Sequence, residues 1–530
     1  MRHGPAAGAA LLALVLVLGL WPAAAPAHAS LLAVRPADGT TVASAPASLS
    51  LEFNEQVAPV TVTLVTPDGR ALPLRADVEG PQLNMPMPSG LGNGTYGLSW
   101  RVISADGHPV GGTTIFSVGA PSSGGVPAAA AEAMDWPVRT GVWLTRVLTY
   151  AGLFAGVGGV FFLRWLGDGT SGLRAVRAVT IVGLVALPIE VAFQGLDVLD
   201  QSPASLFAPA TWQAGMSSSF GLFAGLALIG FALALVATVR VGYERLWSAL
   251  GLLCVGAALA ATGHASTADP QWLTRPAVFI HTEVAAFWAG ALLPLGALLR
   301  GAGDAAIGPL RRFSAAIPAL LFLLLAAGAT LAIVQVGAPA ELVESDYGRV
   351  LIAKLVLVAA LLGLSAFNRF RLTKPALADS GLARRQLVRS IGVELAIMLA
   401  IFAVVALWRF TPPPRALLEA MAQPVSLELS GKEAMAEVTV TPGRAGPVTA
   451  DITLMGADMG PLQAQGVTVD FSNPAKKIEP IEREAKPAPG GKWHLDGLTL
   501  PVGGTWRIEL DILVSDFKEI DLSDQVDIRP

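Results

Sequence analysis

Cysteine is almost absent from this chain of 530 residues, and Cys254 is the only one. A single thiol excludes an internal disulfide bond, so the protein is not built from the disulfide-stapled modules that many small secreted proteins use. Cys254 lies within a long apolar run, where the role of a small buried hydrophobic side chain is expected. The chain therefore has to be stabilised by packing, without covalent cross-links.

Charge is also scarce. Only 14% of the residues are charged, 53% are hydrophobic, and the formal net charge is −4. This balance is typical of membrane proteins, and it provides no basic surface for a nucleic-acid partner. The sequence also lacks a Walker-type phosphate loop, a nucleotide fingerprint and a nucleophile–base arrangement. We therefore expect neither an enzyme nor a pump that this chain energises alone.

The N-terminus has the pattern of an export signal. Arg2 precedes an apolar run over residues 9–20, and the small-residue sequence Ala-Pro-Ala follows at residues 25–27. Cleavage after Ala27 makes His28 the first residue of the mature protein. Its free α-amino group and its imidazole then lie on one residue and together can chelate a metal ion. Copper(II) is the expected guest, because it prefers a square-planar set of nitrogen and oxygen donors.

Composition divides the chain into five segments. Residues 1–27 are the signal peptide. Residues 28–119 alternate short β-type runs with Pro, Asp-Gly and Asn-Gly turns, which predicts an Ig-like or cupredoxin-like β-sandwich. Residues 120–136 form a linker rich in Pro, Ser, Gly and Ala, and residues 137–410 are dominated by apolar runs. Residues 421–530 return to strand patterning and are predicted to form a second, extracytoplasmic β-sandwich, so the fold class is a multidomain membrane protein.

Eight apolar runs of the central segment predict an eight-helix transmembrane bundle, since about 20 residues are needed to cross a bilayer. They lie near residues 140–163, 175–196, 218–239, 246–263, 276–299, 314–336, 349–367 and 390–409. Arginine and lysine crowd the loops after the first, third, fifth and seventh runs. By the positive-inside rule these loops are cytoplasmic, and both chain ends are predicted to be extracytoplasmic. Gly156, Gly158 and Gly159 in the first run indicate close helix packing.

Four motifs stand out in the first sandwich. They are His28-Ala29, RPADG at residues 35–39, LEFNE at 51–55 and WRVISADGHPV at 100–110. With these motifs the segment resembles the periplasmic copper-binding protein CopC. The resemblance implies a copper(II) site made of the amine and imidazole of His28 together with Asp106 and His108. The alternative is that Asp106 and the following glycine make an ordinary turn and that His108 is a surface residue.

Five further motifs lie in the membrane segment. They are GHA at residues 263–265, HTEVAAFWAG at 281–290, YGRVLIAKL at 347–355, NR at 368–369 and RSIGVEL at 389–395. This segment resembles CopD, the membrane partner of CopC, and the two segments together resemble the CopC–CopD fusion proteins. The second sandwich is similar to the β-sandwich appended to some of these fusions and to YtkA-like domains. The resemblance implies an envelope copper protein acting in copper uptake or tolerance.

Polar residues inside a bilayer are costly and are therefore candidates for function. His264 ends the fourth run and His281 lies about one and a half turns into the fifth, so both imidazoles are expected in the outer third of the membrane. We expect them to form a copper path, with Glu190 or Glu283 as an auxiliary donor. The alternatives are hydrogen-bonded packing residues, proton-relay groups or a pair of axial haem ligands.

Three functions are compatible with these patterns. The first is a copper permease of the bacterial inner (plasma) membrane, which captures copper(II) outside and passes it to the membrane segment for uptake or homeostasis. The second is periplasmic copper sequestration for resistance, with the membrane block as an anchor, and the third is a haem-containing membrane redox protein. Eight spans favour the permease, because one span suffices for an anchor. The expected partners are copper ions, the lipid bilayer and other periplasmic copper chaperones, with no nucleic acid.

Overall fold

The described part of the chain divides into two compact units, one of helices and one holding both β-sandwiches. The computed structural model describes residues 29, 31–36, 40–42, 44–53, 56–88, 90–104, 109–120, 122, 136–217, 219–239, 242–301, 304–378, 381–411, 413–415, 424–456, 460–489, 491–515 and 518–529. The predicted signal peptide and most of the predicted linker lie outside these residues, and so do His28, Asp106 and His108.

The first sandwich consists of two sheets that enclose an apolar core. Its strands are β1 (Leu31–Arg35), β2 (Thr41–Val42), β3 (Ser48–Phe53), β4 (Ala58–Val65), β5 (Ala71–Pro73), β6 (Asp77–Glu79), β7 (Gln82–Pro86), β8 (Gly94–Ile103) and β9 (Pro109–Val118). One sheet has the order β1-β3-β7-β6 and the other β2-β9-β8-β4-β5. On β3 the alternate residues Leu49, Leu51 and Phe53 are all buried, because successive side chains of a strand point to opposite faces.

The second sandwich repeats this architecture. Its strands are β10 (Val425–Ser430), β11 (Ala434–Thr441), β12 (Gly446–Gly456), β13 (Gly466–Asn473), β14 (Ile478–Glu484), β15 (Lys486–Ala488), β16 (Lys492–Leu500), β17 (Gly504–Ser515) and β18 (Lys518–Ile528). The sheet orders are β10-β11-β12-β16-β15 and β14-β13-β17-β18. Among the described residues, Trp506 of β17 is the largest fully buried side chain, and its indole nitrogen donates to the Val502 carbonyl at 3.0 Å. β10 contacts β1, so the two sandwiches touch within their unit.

A helix occupies each of the eight apolar runs. The helices are α1 (Trp136–Trp165), α2 (Leu173–Leu199), α3 (Ser219–Ala237), α4 (Glu244–Ala260), α5 (Gln271–Arg300), α6 (Ile307–Val336), α7 (Asp346–Leu377) and α8 (Gly381–Phe410). By length and composition, all of these helices except α4 are long and apolar enough to cross a membrane. α4 has 17 residues, which is the lower limit for a span at about 17–25 residues. The predicted fold class, a multidomain membrane protein with two β-sandwiches, is confirmed.

The helices are buried to very different degrees. We compare the most apolar stretch of each helix. In α5, 78% of this stretch is buried inside the protein, and in α1 72% is buried, whereas in α6 and in α7 only 11% is buried. α1 and α5 therefore form the centre of the helical unit, while α6 and α7 present most of their surface outward. α5 carries both His281 and Glu283, so these two residues belong to the central helix.

Glycines allow α1 and α5 to pack backbone against backbone. A Cβ atom added at Gly158 would lie 2.0 Å from the Ala286 carbonyl oxygen, and one added at Gly290 would lie 2.1 Å from the Gly158 carbonyl carbon. At Gly156 the added atom would lie 2.7 Å from the Thr180 hydroxyl of α2. The close packing that the sequence indicated at the α1 glycines is confirmed, and it explains the high burial of both central helices.

Replacing Gly290 by valine is expected to disrupt the helical unit, because the added atoms would meet α1 backbone that cannot shift far. We expect loss of folded protein, or a destabilisation beyond about 3 kcal/mol, which is the upper end of the usual cost of overpacking. Gly363→Val is the matched control, since a Cβ atom there meets nothing within 4 Å. Thermal unfolding of the purified protein measures both variants. Equal melting temperatures would contradict a tight α1–α5 contact.

A reporter enzyme fused after Arg415 is expected to be active only if it works outside the cytoplasm, because eight spans return the chain to its starting side. A second fusion after Arg300, in a basic loop, should be active only if it works in the cytoplasm. Whether the short helix α4 crosses the membrane decides whether the number of spans is even or odd. Cytoplasmic activity of the Arg415 fusion would mean that α4 does not cross the membrane.

Candidate functional site

His264 sits in a tight connection between α4 and α5. α4 ends at Ala260, Gly263 adopts a left-handed φ of 88°, and a single helical turn, His264–Thr267, follows. The positive φ requires glycine at residue 263, because a side chain there would be strained. The Gln335 amide of α6 donates to the His264 carbonyl oxygen at 2.9 Å. His264 is only 8% exposed, so this turn holds its imidazole inside the helical unit.

His281 is fixed by a hydrogen bond to the neighbouring helix. Its Nδ1 lies 3.1 Å from the Leu324 carbonyl oxygen of α6. A carbonyl oxygen only accepts, so Nδ1 carries the hydrogen and the neutral ring keeps its lone pair on Nε2. A Cβ atom added at Gly328 would lie 3.1 Å from His281 Cε1, so glycine leaves room for this ring. Metal-binding histidines are commonly oriented in this way, with one ring nitrogen bonded to a carbonyl and the other available.

The two histidines line one cavity of about 240 Å³, which we call the histidine cavity. Its wall comprises Arg146, Tyr150, Gln194, Phe220, Phe223, Leu259, Thr262, Gly263, His264, Ala265, Val278, His281, Gly328, Leu331, Ala332, Gln335, Tyr347, Leu351, Lys354, Val405, Trp408 and Arg409. Gln335 is 1% exposed, and its Oε1 has no hydrogen-bond partner among the described residues. The cavity therefore combines imidazole nitrogens with a buried oxygen acceptor.

Three cationic side chains also belong to this wall. Arg146 Nε lies 2.9 Å from Glu190 Oε1, and Arg409 Nη2 lies 2.5 Å from Asp197 Oδ2. The Lys354 ammonium lies 4.9 Å from the centroid of the Trp408 ring. The two arginines are thus balanced by carboxylates behind the wall, and the lysine is placed over an aromatic face that attracts cations.

The acidic residues that the sequence suggested as auxiliary donors do not line this cavity. Glu190 is fully buried behind the wall, paired with Arg146. Glu283 lies on another face of α5, where its Oε1 accepts from the Gly256 backbone N–H at 3.0 Å. The structure thus brings together His264 and His281 and leaves the two carboxylates apart from them. A donor role for either carboxylate stays a prediction.

The donor set of the histidine cavity is small. Among the described residues, no three His, Cys, Asp or Glu side chains come together as a metal-binding group. Two imidazoles, with amide and backbone oxygens nearby, suit copper or zinc better than a hard cation such as magnesium. Two nitrogen ligands also bind a metal ion less firmly than a complete set of four ligands does. Such a site fits an ion that must enter and leave again.

Sequence reasoning missed most of the cavity wall. Arg146, Gln335, Lys354 and Arg409 come from four different helices, and none of them belongs to a pattern of metal ligands. The only signal available was that polar residues in apolar runs carry a cost and need a reason.

The second sandwich holds a histidine of a different kind. His494 Nδ1 lies 2.6 Å from Asp451 Oδ1, and its Nε2 lies 2.8 Å from Asp496 Oδ1. The hydrogen bond to Asp451, followed by that to Asp496, raises the pKa of His494 above its usual value. Both ring nitrogens are engaged with carboxylates, so this histidine is a suitable reference against which to compare those of the membrane unit.

Two protein families match this chain. The CopC domain family matches residues 31–119, and the family of copper resistance protein D matches residues 308–408. The second match spans α6, α7 and most of α8, including Gln335 and Lys354 of the histidine cavity, whereas His264 and His281 precede it.

Individual proteins are similar to the whole or to a part of this chain. The copper transport protein CutJ of Bacillus subtilis (strain 168) is 24% identical over 551 residues, covering 96% of this chain and 97% of CutJ. Copper resistance protein C of Xanthomonas campestris pv. juglandis is 36% identical over 107 residues, covering 18% of this chain and 84% of that protein. The crystal structure of CopC from Methylosinus trichosporium OB3b is 28% identical, with a TM-score of 0.16, covering 18% of this chain and 95% of that one.

The sandwiches, the apolar helices and these matches define a membrane protein of the copper transport and resistance group. Within this group, the chain belongs to the CopC–CopD family, because it carries a CopC domain and a CopD domain in one polypeptide.

Proposed function

We propose that this protein captures copper(II) outside the membrane with its CopC domain and passes copper through the helical unit into the cell. The observation that carries the proposal is the histidine cavity, where His264 and His281 from two different elements line one space inside a bundle of apolar helices. The name of the relative CutJ, a copper transport protein similar over nearly the whole chain, supports the same function.

Capture is assigned to His28, Asp106 and His108. The support comes from the match of residues 31–119 to the CopC domain and from the chemistry of the ligands. One amine, two imidazoles and one carboxylate fill the four positions that copper(II) prefers in a tetragonal site. Cleavage of the signal peptide after Ala27 creates the amine ligand, so export and assembly of this site are linked.

Passage is assigned to His264 and His281. The Nε2 lone pair of His281 is available for copper because Nδ1 is held by the Leu324 carbonyl. The cations of the wall would repel a copper ion, but Arg146 and Arg409 are balanced by Glu190 and Asp197. We propose that these carboxylates act by lowering the positive potential of the cavity.

The competing functions are less well supported. A membrane anchor needs one apolar helix, and a buried polar cavity would then be a cost without a purpose. A haem group needs more room than the histidine cavity offers, since its volume of about 240 Å³ lies below the roughly 300–1,000 Å³ of ordinary organic-ligand pockets. The absorbance spectrum of the purified protein tests the haem alternative directly, because a haem protein has an intense visible band.

Placing one extra alanine before His28 is expected to weaken copper(II) binding by more than about tenfold, because even lost outer-shell contacts cost metal sites that much. The amine and imidazole would then lie on different residues and could no longer form the same chelate. Electron paramagnetic resonance of the full-length protein with one equivalent of copper(II) is the measurement. An alanine inserted in the linker after Ala129 is the control. Unchanged affinity and spectrum in the N-terminal variant would contradict the assigned site.

Replacing His264 or His281 by alanine is expected to abolish copper uptake, while the copper(II) signal of the CopC domain stays as in the wild type. The measurement is cellular copper content at a defined external copper concentration, with and without each variant. His494→Ala is the matched control, since this histidine lies on the second sandwich and should leave uptake unchanged. Protein abundance must be measured in parallel, because loss of a buried hydrogen-bonded imidazole can destabilise the fold. Normal abundance with normal uptake would show that the two histidines are structural.

A further inference from the structure

A second cavity of about 400 Å³ surrounds the carboxyl group of Glu394, and we call it the Glu394 cavity. It is lined by residues of α5, α6, α7 and α8, and its polar wall residues include Ser314, Ser365, Asn368, Arg369, Thr373 and Glu394. Glu394 is 4% exposed. Most of the wall is apolar, so the few polar groups around this carboxyl determine what the cavity can bind.

The two cavities lie at opposite ends of the helical unit. On α6, Leu321 is the last residue that lines the Glu394 cavity, and Gly328 is the first residue that lines the histidine cavity. The step of seven positions from Leu321 to Gly328 corresponds to about 10 Å at 1.5 Å per residue. The hydrogen bond from His281 to the Leu324 carbonyl lies in this intervening layer. The side chain of His281 thus stands between the two spaces.

The backbone of α7 widens at the Glu394 cavity. Residues Asn368–Leu372 form a π-helical turn within α7. Such turns are rare and frequently lie at functional sites. Here the turn begins at Asn368, whose side chain reaches Glu394 on α8.

Within the described part of the chain, the hydrogen bonds around Glu394 leave the amide oxygen of Asn368 without a donor. The Ser365 hydroxyl donates to Glu394 Oε1 at 2.6 Å, and Asn368 Nδ2 donates to the same oxygen at 3.0 Å. Asn368 Oδ1 is buried and has no hydrogen-bond partner among the described residues. Exchanging the nitrogen and oxygen of the amide would not help, because two acceptors would then face each other. The buried amide therefore lacks a donor on its oxygen side.

A proton on Glu394 would supply that donor. A carboxylic acid and a primary amide pair in a ring, in which the amide N–H bonds one carboxyl oxygen and the acid O–H bonds the amide oxygen. The first of these two bonds is present between Asn368 and Glu394, and the second needs a protonated carboxyl group. A metal ion fits less well, because one carboxyl group with one amide oxygen is a small donor set for a hard cation, which takes six or more oxygen ligands.

We propose that Glu394 and Asn368 form a proton-binding site at the end of the helical unit opposite the histidine cavity. This inference rests on the proposed copper passage for its purpose: proton exchange at Glu394 compensates the charge of copper that leaves the unit. Among the residues that line the cavity, drawn from α5, α6, α7 and α8, Arg369 is the other titratable side chain. Arg369 donates to the hydroxyl oxygen of Ser314 at 2.8 Å and to its carbonyl oxygen, so it is engaged with α6.

Infrared difference spectroscopy of the full-length protein in lipid, recorded while pH is changed, tests the site without copper. We expect a carbonyl band of a protonated carboxyl group in the wild type and its loss in Glu394→Gln. Glu283→Gln is the matched control, a carboxyl group on α5 that is also bonded within the unit, and it should keep the band. Asn368→Leu should keep the band but shift its frequency, because the amide partner is lost while Glu394 remains.

The same variants separate this inference from the proposed transport. In vesicles, wild-type copper uptake should depend on the pH of the compartment at the Glu394 end, and Glu394→Gln should lose that dependence. If the wild type moves no copper but the band disappears in Glu394→Gln, the proton site stands and the transport proposal fails. If copper moves but the band is unchanged in Glu394→Gln, or unshifted in Asn368→Leu, the proton site is wrong.

Discussion

A polar side chain inside a bilayer is costly unless another protein group satisfies it, and the helical unit is arranged around this constraint. Arg146 of α1 pairs with Glu190 of α2, and Arg409 of α8 pairs with Asp197 of α2. The imidazole of His281 on α5 bonds a backbone carbonyl of α6. Each of these bonds joins two helices that wall the histidine cavity. The interactions that satisfy buried polar groups therefore also hold the cavity in shape.

The sequence predicted the architecture well where a local pattern controls it. Alternation on β3 and eight long apolar runs led directly to a sandwich and to helices. It could not rank the helices by burial, because hydropathy reports affinity for an apolar surrounding without saying whether this is lipid or protein. The outward-facing α6 and α7 reach a mean hydropathy of 2.5, whereas the central α1 and α5 reach 1.5. Central helices can carry more polar and small residues because neighbouring helices satisfy and enclose them.

The distinction between local sequence patterns and the packing of distant elements also separates the predictable part of the site from the rest. His264 and His281 were expected at the same depth of the membrane, because one ends the fourth apolar run and the other lies about one and a half turns into the fifth. Gln335 and Lys354 reach the same cavity only through the packing of α6 and α7 against α5, which no local pattern encodes. The pairing of Asn368 with Glu394 depends on a π-helical turn that has no sequence signature of its own. The copper(II) ligands His28, Asp106 and His108 stay a prediction from the motif.

The two cavities differ in chemistry as well as position. The histidine cavity offers imidazole nitrogens, which suit copper, and the Glu394 cavity offers a carboxyl group, hydroxyls and an amide, which suit a proton. A cation that crosses a low-dielectric interior raises the energy of every other cation there, so its passage favours the release of positive charge nearby. Roughly 10 Å of α6 separates the spaces, a distance over which charges in an apolar medium still interact strongly. A protein that has copper ligands at one end and a titratable carboxyl group at the other can therefore couple copper binding to proton binding. Electrostatic interaction alone is enough for this coupling, without a large conformational change.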